Sequence, residues 1–141
     1  MSSPTTVANK KSTREKDQLV LNRVFTKLGV HPFDEITWVA RDAVVGSGDK
    51  KVFEEHGIEF PDFWSSHAVN ITASKYFRGK LGSKERESSV KQMIGRVVKT
   101  VRGWGERFGY FKTSSQAQIF EDELTHILVN QKASFNSPVW F

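Results

Sequence analysis

In Val90-Lys91-Gln92-Met93-Ile94-Gly95-Arg96-Val97-Val98-Lys99-Thr100-Val101-Arg102-Gly103-Trp104-Gly105-Glu106-Arg107-Phe108, apolar side chains return at Val90, Met93, Ile94, Val97, Val98, Val101, Trp104 and Phe108. That is the i, i+3, i+4, i+7 pattern of one helical face, sustained for about five turns. Ser83 is read as its cap, with Glu85 and Glu87 in a first turn where the helix dipole favours negative charge. Gly95, Gly103 and Gly105 each cost about 1 kcal/mol against alanine inside a helix, so they signal close packing or fraying. A helix with one apolar face needs a partner, and the sequence that follows supplies one.

On the carboxyl side, Gly109-Tyr110-Phe111 reads as a turn, and Thr113 and Gln116 have capping-box spacing. A second long helix follows, with Ala117, Phe120, Leu124, Ile127 and Leu128 as its stripe and Glu121, Asp122 and Glu123 as a solvated polar face. The short connection makes the two helices antiparallel neighbours. On the amino side, Asp62 reads as the cap of a helix over 63–78 that carries Trp64, Ala68, Ile71, Lys75 and Phe77 and closes at Gly79. Before it, the β-branched and aromatic run over 36–45, the turn Gly46-Ser47-Gly48-Asp49 and the run from Lys51 predict a hairpin continuing toward Ile58, Phe60 and Pro61. Its register is ambiguous, because Ile36, Trp38 and Ala40 alternate while Val44 and Val45 are consecutive. The fold class expected is α+β: about three helices and a small β-hairpin.

The two ends differ from this middle. Residues 1–18 are rich in Ser, Thr and Lys, too poor in large apolar groups to offset the entropy of ordering, and are read as a disordered lead. Residues 19–132 form the helical and hairpin domain. Residues 133–141 end in Ser137-Pro138-Val139-Trp140-Phe141, where proline directs the chain into extended geometry. This reads as the first strand of a larger core beyond the 141 residues.

Composition narrows function by exclusion. There is no cysteine, so disulfides, thiolate metal sites and thiol redox chemistry are all absent. No apolar run approaches the roughly 20 residues that span a bilayer, and the first residues lack the apolar core of a secretory signal, which points to the cytoplasm. The net charge of +5 raises the question of a polyanion. The excess at Lys75, Arg78, Lys80, Lys84, Arg86 and Lys91 comes with no nucleic-acid motif and reads first as a solvated junction. His31, His56, His67 and His126 lack metal-ligand spacing, and Glu54-Glu55 lack a partner base and read as a solvated face. Gly46-Ser47-Gly48 lacks the lysine-hydroxyl ending of a phosphate loop.

A resemblance adds what composition cannot. Phe135-Asn136-Ser137-Pro138-Val139-Trp140-Phe141 resembles the opening of the catalytic barrel in adenosylcobalamin-dependent (class II) ribonucleotide reductases of the large bacterial type. Val24-Phe25-Thr26, Gly29-Val30-His31-Pro32, Arg41-Asp42-Ala43, Phe63-Trp64-Ser65, Ala73 to Gly79, Glu85-Arg86-Glu87 through Val90, and Gly109-Tyr110-Phe111 resemble that family's amino-terminal region in the same order. The resemblance implies a complete enzyme that reduces ribonucleotides, diphosphates in the first instance, with adenosylcobalamin and a cysteine radical. It is commonly a homodimer. Lacking cysteine, this chain would be inactive alone and would pack on the remainder of the barrel. It also implies that Ser137 contacts the ribonucleotide substrate; Asn136, adjacent and polar, is a second, weaker candidate. A hydroxyl held by the following proline suits a close approach to ribose or phosphate oxygen, although bonding to local backbone is the alternative. The competing functional class is a stand-alone basic helical module that binds a polyanion or protein partner.

Overall fold

The computed structural model describes residues 18–141. The lead read over 1–18 therefore lies, Gln18 apart, outside the described residues. The elements are a 3-10 turn Pro32–Glu35, strand β1 (Trp38–Val45), a 3-10 turn Gly48–Lys50, strand β2 (Phe53–Pro61), and helices α1 (Ser66–Tyr76), α2 (Val90–Arg107), α3 (Ser114–Val129) and α4 (Ser137–Trp140). No helix among the described residues is long and apolar enough to cross a membrane.

The hairpin is antiparallel, pairing Trp38 with Pro61, Arg41 with Ile58, Ala43 with Glu55 and Val45 with Phe53. Between the last two of these inner pairs His56 and Gly57 stand opposite the single residue Asp42. This bulge resolves the ambiguous alternation. Phe53 and Phe60 are an odd number of residues apart and would face opposite ways in a regular strand. The extra residue restores phase, so Phe53 packs on the core that Ile58 and Phe60 fill. Gly57, at φ 67°, supplies the left-handed backbone this requires, and its amide donates to Asp42 Oδ1 at 3.0 Å.

Helix α1 starts later than its sequence suggests. The Asp62 amide bonds the Thr37 carbonyl and the Trp64 amide the Pro61 carbonyl, so 62–64 turn away from the hairpin. Ser65, not Asp62, is the cap, accepting from the Ala68 amide. Trp64 consequently precedes the helix, buried against Phe60, and its indole donates to the Val129 carbonyl at 2.9 Å. Ile71, expected on the inner stripe, is exposed.

Helix α2 also starts later, at a full capping box of Ser89 and Gln92. Ser83, Glu85 and Glu87 stay outside it because the chain at 88–89 runs extended beside β2. The Glu59 amide donates to the Ser88 carbonyl, and Ser89 Oγ donates to Glu59 Oε1 at 2.7 Å. From Val90 to Val98 the predicted stripe is core: Val90, Met93, Ile94, Val97 and Val98 are all buried. Helix α3 is capped by Thr113 as read from sequence, and Ala117, Leu128 and Val129 are buried. Gln116 turns from the capping box to clamp both backbone groups of Leu21. Helices α2 and α3 run antiparallel, since Arg102 meets Gln118 and Glu121 at one end. At the other, Ile94 and Leu128 share a cavity wall.

The strand read over Val139 to Phe141 is instead the helical turn α4. Proline near a helix start loses no intrahelical bond, so Pro138 permits either geometry. Tertiary bonds decide: Trp140 is buried, its indole donates to the Phe135 carbonyl at 3.0 Å, and its carbonyl accepts from Arg96 at 2.8 Å.

Candidate functional site

Ser137 and Asn136 sit at the start of α4, both exposed. Asn136 is the cap residue by position, but its side chain makes no capping bond. Ser137 Oγ lies 2.8 Å from the hydroxyl of Tyr76, the last residue of α1. The Tyr76 ring packs at 5.6 Å on Phe141. The site is thus made where the end of α1 meets the carboxyl-terminal turn.

Arg96 on α2 locks that turn in place. Its guanidinium reaches Glu87 at 2.8 and 3.2 Å, the Trp140 carbonyl, and the Tyr76 carbonyl at 3.3 Å. Glu87 in turn accepts from the Arg78 amide at 2.9 Å. Burial opposes the Glu87 charge, but the Arg96 guanidinium and the Arg78 amide outweigh it and hold the carboxyl below its ordinary pKa. Beside this node, Trp64, Thr72, Tyr76, Ile94, Leu128 and Trp140 wall a cavity of 280 Å3.

Other polar groups proved structural. Arg86 pairs with Glu55 at 2.7 Å and donates to the carbonyls of Ala73, Phe77 and Gly79, binding the loop after α1 to the hairpin. Lys91 pairs with Glu59 and lies over the Trp38 ring at 4.3 Å. Two members of the basic run are therefore internal ties, and the solvated-face reading of Glu55 is corrected. It is corrected for Glu121 to Glu123 as well. Asp122 is buried and pairs with Arg23 at 2.7 Å; Glu123 accepts from the Phe25 and Thr26 amides; Glu121 binds Arg102. These three carboxylates fasten the amino-terminal strap and α2 to α3.

The histidines are dispersed. His31 caps the first 3-10 turn, His126 stacks on Phe25 at 4.9 Å, and His56 pairs with Asp42 and Glu54 across the hairpin. Hydrogen bonding and charge from Asp42, then Glu54, raise the His56 pKa. No group of three or more His, Asp or Glu fit to hold a metal ion occurs among the described residues. Sequence reading missed Tyr76 and Arg96. Tyr76 is 61 residues from Ser137 and carries no local signal. An arginine inside an apolar helical repeat, nine residues after Glu87, was the available hint for the second.

The model of a family described as class II vitamin B12-dependent ribonucleotide reductase matches residues 43–131. The vitamin B12-dependent ribonucleotide reductase of Streptomyces clavuligerus is 50% identical over 142 residues, covering 99% of this chain and 15% of the relative. That of Rhodopirellula baltica is 40% identical over 115 residues, 80% of this chain and 11% of the relative. The one from Bradyrhizobium diazoefficiens is 29% identical over 155 residues, 86% of this chain and 12% of the relative. The chain spans about 15% of the length of its more similar relatives.

Proposed function

The chain belongs to the class II vitamin B12-dependent ribonucleotide reductases, as their amino-terminal region, and from that premise we propose its place in the reaction. The complete enzyme converts ribonucleoside diphosphates to deoxyribonucleotides for DNA synthesis, in the cytoplasm and as a homodimer. This segment packs on the catalytic remainder and helps to form the substrate mouth. The observation that carries the reading is 50% identity over nearly the whole chain to reductases several times longer.

Adenosylcobalamin is the cofactor, but the residues here do not fit it. His31, His56 and His126 are engaged in capping, ion pairing and stacking, His67 is exposed on α1 and apart from them, and the chain has no cysteine. Cofactor contacts, the radical cysteine and the reducing pair all belong to the remainder. What this chain contributes is position. A hydroxyl offers one donor and two acceptor sites, so Ser137, bonded to Tyr76, keeps capacity for a ribose or phosphate oxygen. Asn136, exposed and without a capping bond, is the second contact.

The test mixes this chain with the remainder of the S. clavuligerus enzyme, then follows deoxyribonucleotide formation with adenosylcobalamin and a dithiol. Activity in the mixture alone is expected. Ser137→Ala should then lower kcat/KM about 10- to 100-fold, the worth of a hydrogen bond to a charged group. A folded chain that neither associates nor restores turnover overturns the reading.

A further inference from the structure

We propose that the apolar depression bounded by Val101, Trp104, Val139 and Phe141 is the seat of the reductase's catalytic remainder, an assignment that rests on the function proposed above. Three observations converge on it. The first is a mismatch along α2 between pattern and packing. The apolar repeat that is fully buried from Val90 to Val98 continues to Val101, Trp104 and Phe108, yet Trp104 is 56% and Phe108 50% exposed. Helix α2 therefore carries core-type side chains beyond the core of its own domain. Burying such a stripe is what normally holds an amphipathic helix in place.

The second is shape. Val97, Val101, Trp104, Pro138, Val139 and Phe141 line a depression of 530 Å3, with Arg78, Arg96 and Thr100 on its polar side. Phe141 is 64% and Val139 41% exposed, so α2 and the carboxyl-terminal turn present one apolar surface. Arg96 is compensated by Glu87. The exposed Arg78 guanidinium, whose charge also acts on Glu87, adds a donor at the rim for a carboxylate or carbonyl on the occupant.

The third observation identifies that occupant. Relatives that match this chain over 99% of its length are more than six times longer, since the match covers 15% of each. In a chain continued as theirs is, the next residue leaves from Phe141, at the rim of the depression. Arg96 fixes that exit through the Trp140 carbonyl. Val20, Val24 and Leu28 on the amino-terminal strap are more exposed singly, but no arginine-fixed exit adjoins them.

The absence of native cysteine allows a direct test. Single variants Trp104→Cys, Val139→Cys and Val24→Cys are made in the 141-residue chain and in a full-length chimera where this chain replaces the matching region of the S. clavuligerus reductase. Thiol alkylation is followed by peptide mass spectrometry, alongside deoxyribonucleotide formation. Protection at 104 and 139 by about tenfold or more in the chimera, relative to the isolated chain, supports the assignment. An active chimera that labels at 104 and 139 as fast as the isolated chain, with or without protection at 24, overturns the face and leaves the family role standing. An inactive chimera without protection anywhere overturns the role and the face together. Loss of the signal because Trp104→Cys itself weakens docking is separated by Val139→Cys, which leaves the indole intact.

Discussion

Replacing Arg96 by methionine should unfasten the carboxyl-terminal turn at a measurable cost. The guanidinium holds both Glu87 oxygens, the Trp140 carbonyl and the Tyr76 carbonyl, and the ion pair is largely out of solvent, with side chains 17% and 11% exposed. Removing one partner of a fully buried pair costs about 3–5 kcal/mol because the other is left charged and unpaired. Here Glu87 keeps the Arg78 amide and some solvent, so we expect about 2–4 kcal/mol. With a urea dependence of about 2 kcal/mol per molar, the middle of the range for a small domain, the unfolding midpoint should fall by about 1–2 M. Glu87→Gln keeps an acceptor and should cost less. The double variant should fall short of the sum, because both changes remove one interaction. The pH dependence has a definite sign. The folded Glu87 pKa is depressed, so its stabilisation is present above the unfolded value and lost as pH falls through the folded one. A midpoint shift below about 0.3 M for Arg96→Met, worth less than about 1 kcal/mol at that slope, would show that the node does not hold the turn.

Three further expectations concern stability. Gly95→Ala adds a methyl group into open space on α2 and should stabilise by up to about 1 kcal/mol, whereas Gly105→Ala drives Cβ into the Phe111 ring and should destabilise despite better helix propensity; thermal melts of both decide. Trp64→Phe should cost about 1–3 kcal/mol by leaving the buried Val129 carbonyl unpaired, read by chemical denaturation. Burial, then the Lys132 charge, lowers the His126 pKa, so the unfolded chain protonates first and stability should fall as pH drops below about 6.5. His126→Phe should lose that slope, and the opposite contribution of exposed His56, common to both proteins, cancels in the comparison.

How much of this was legible in the sequence depends on the range of the interaction that decides each feature. Helix α3 and its Thr113 cap could be read locally, because cap and periodicity lie within one segment. The α2 stripe was equally plain, but its start was not. Ser83 has the right chemistry for a cap, and only the pairing of Ser88 with Glu59 keeps that stretch extended until Ser89. The Asp62 reading failed for the same reason, a backbone bond to Thr37. The hairpin was visible, while its register depended on a bulge at His56-Gly57 that only the pairing reveals. At the carboxyl terminus Pro138 allowed strand or helix, and Arg96, more than 40 residues earlier, selects the turn. Ser137 was nameable through a family resemblance; its partner Tyr76 was not, since no spacing rule links a helix end to a turn 61 residues on.

The most direct measurement is deoxyribonucleotide formation by the full-length chimera in which this chain replaces the matching region of the S. clavuligerus reductase. If the chain is the amino-terminal part of such an enzyme, the chimera turns over ribonucleoside diphosphates with adenosylcobalamin and a dithiol, and Ser137→Ala impairs it. A folded chimera that binds cobalamin yet forms no deoxyribonucleotide would contradict the account.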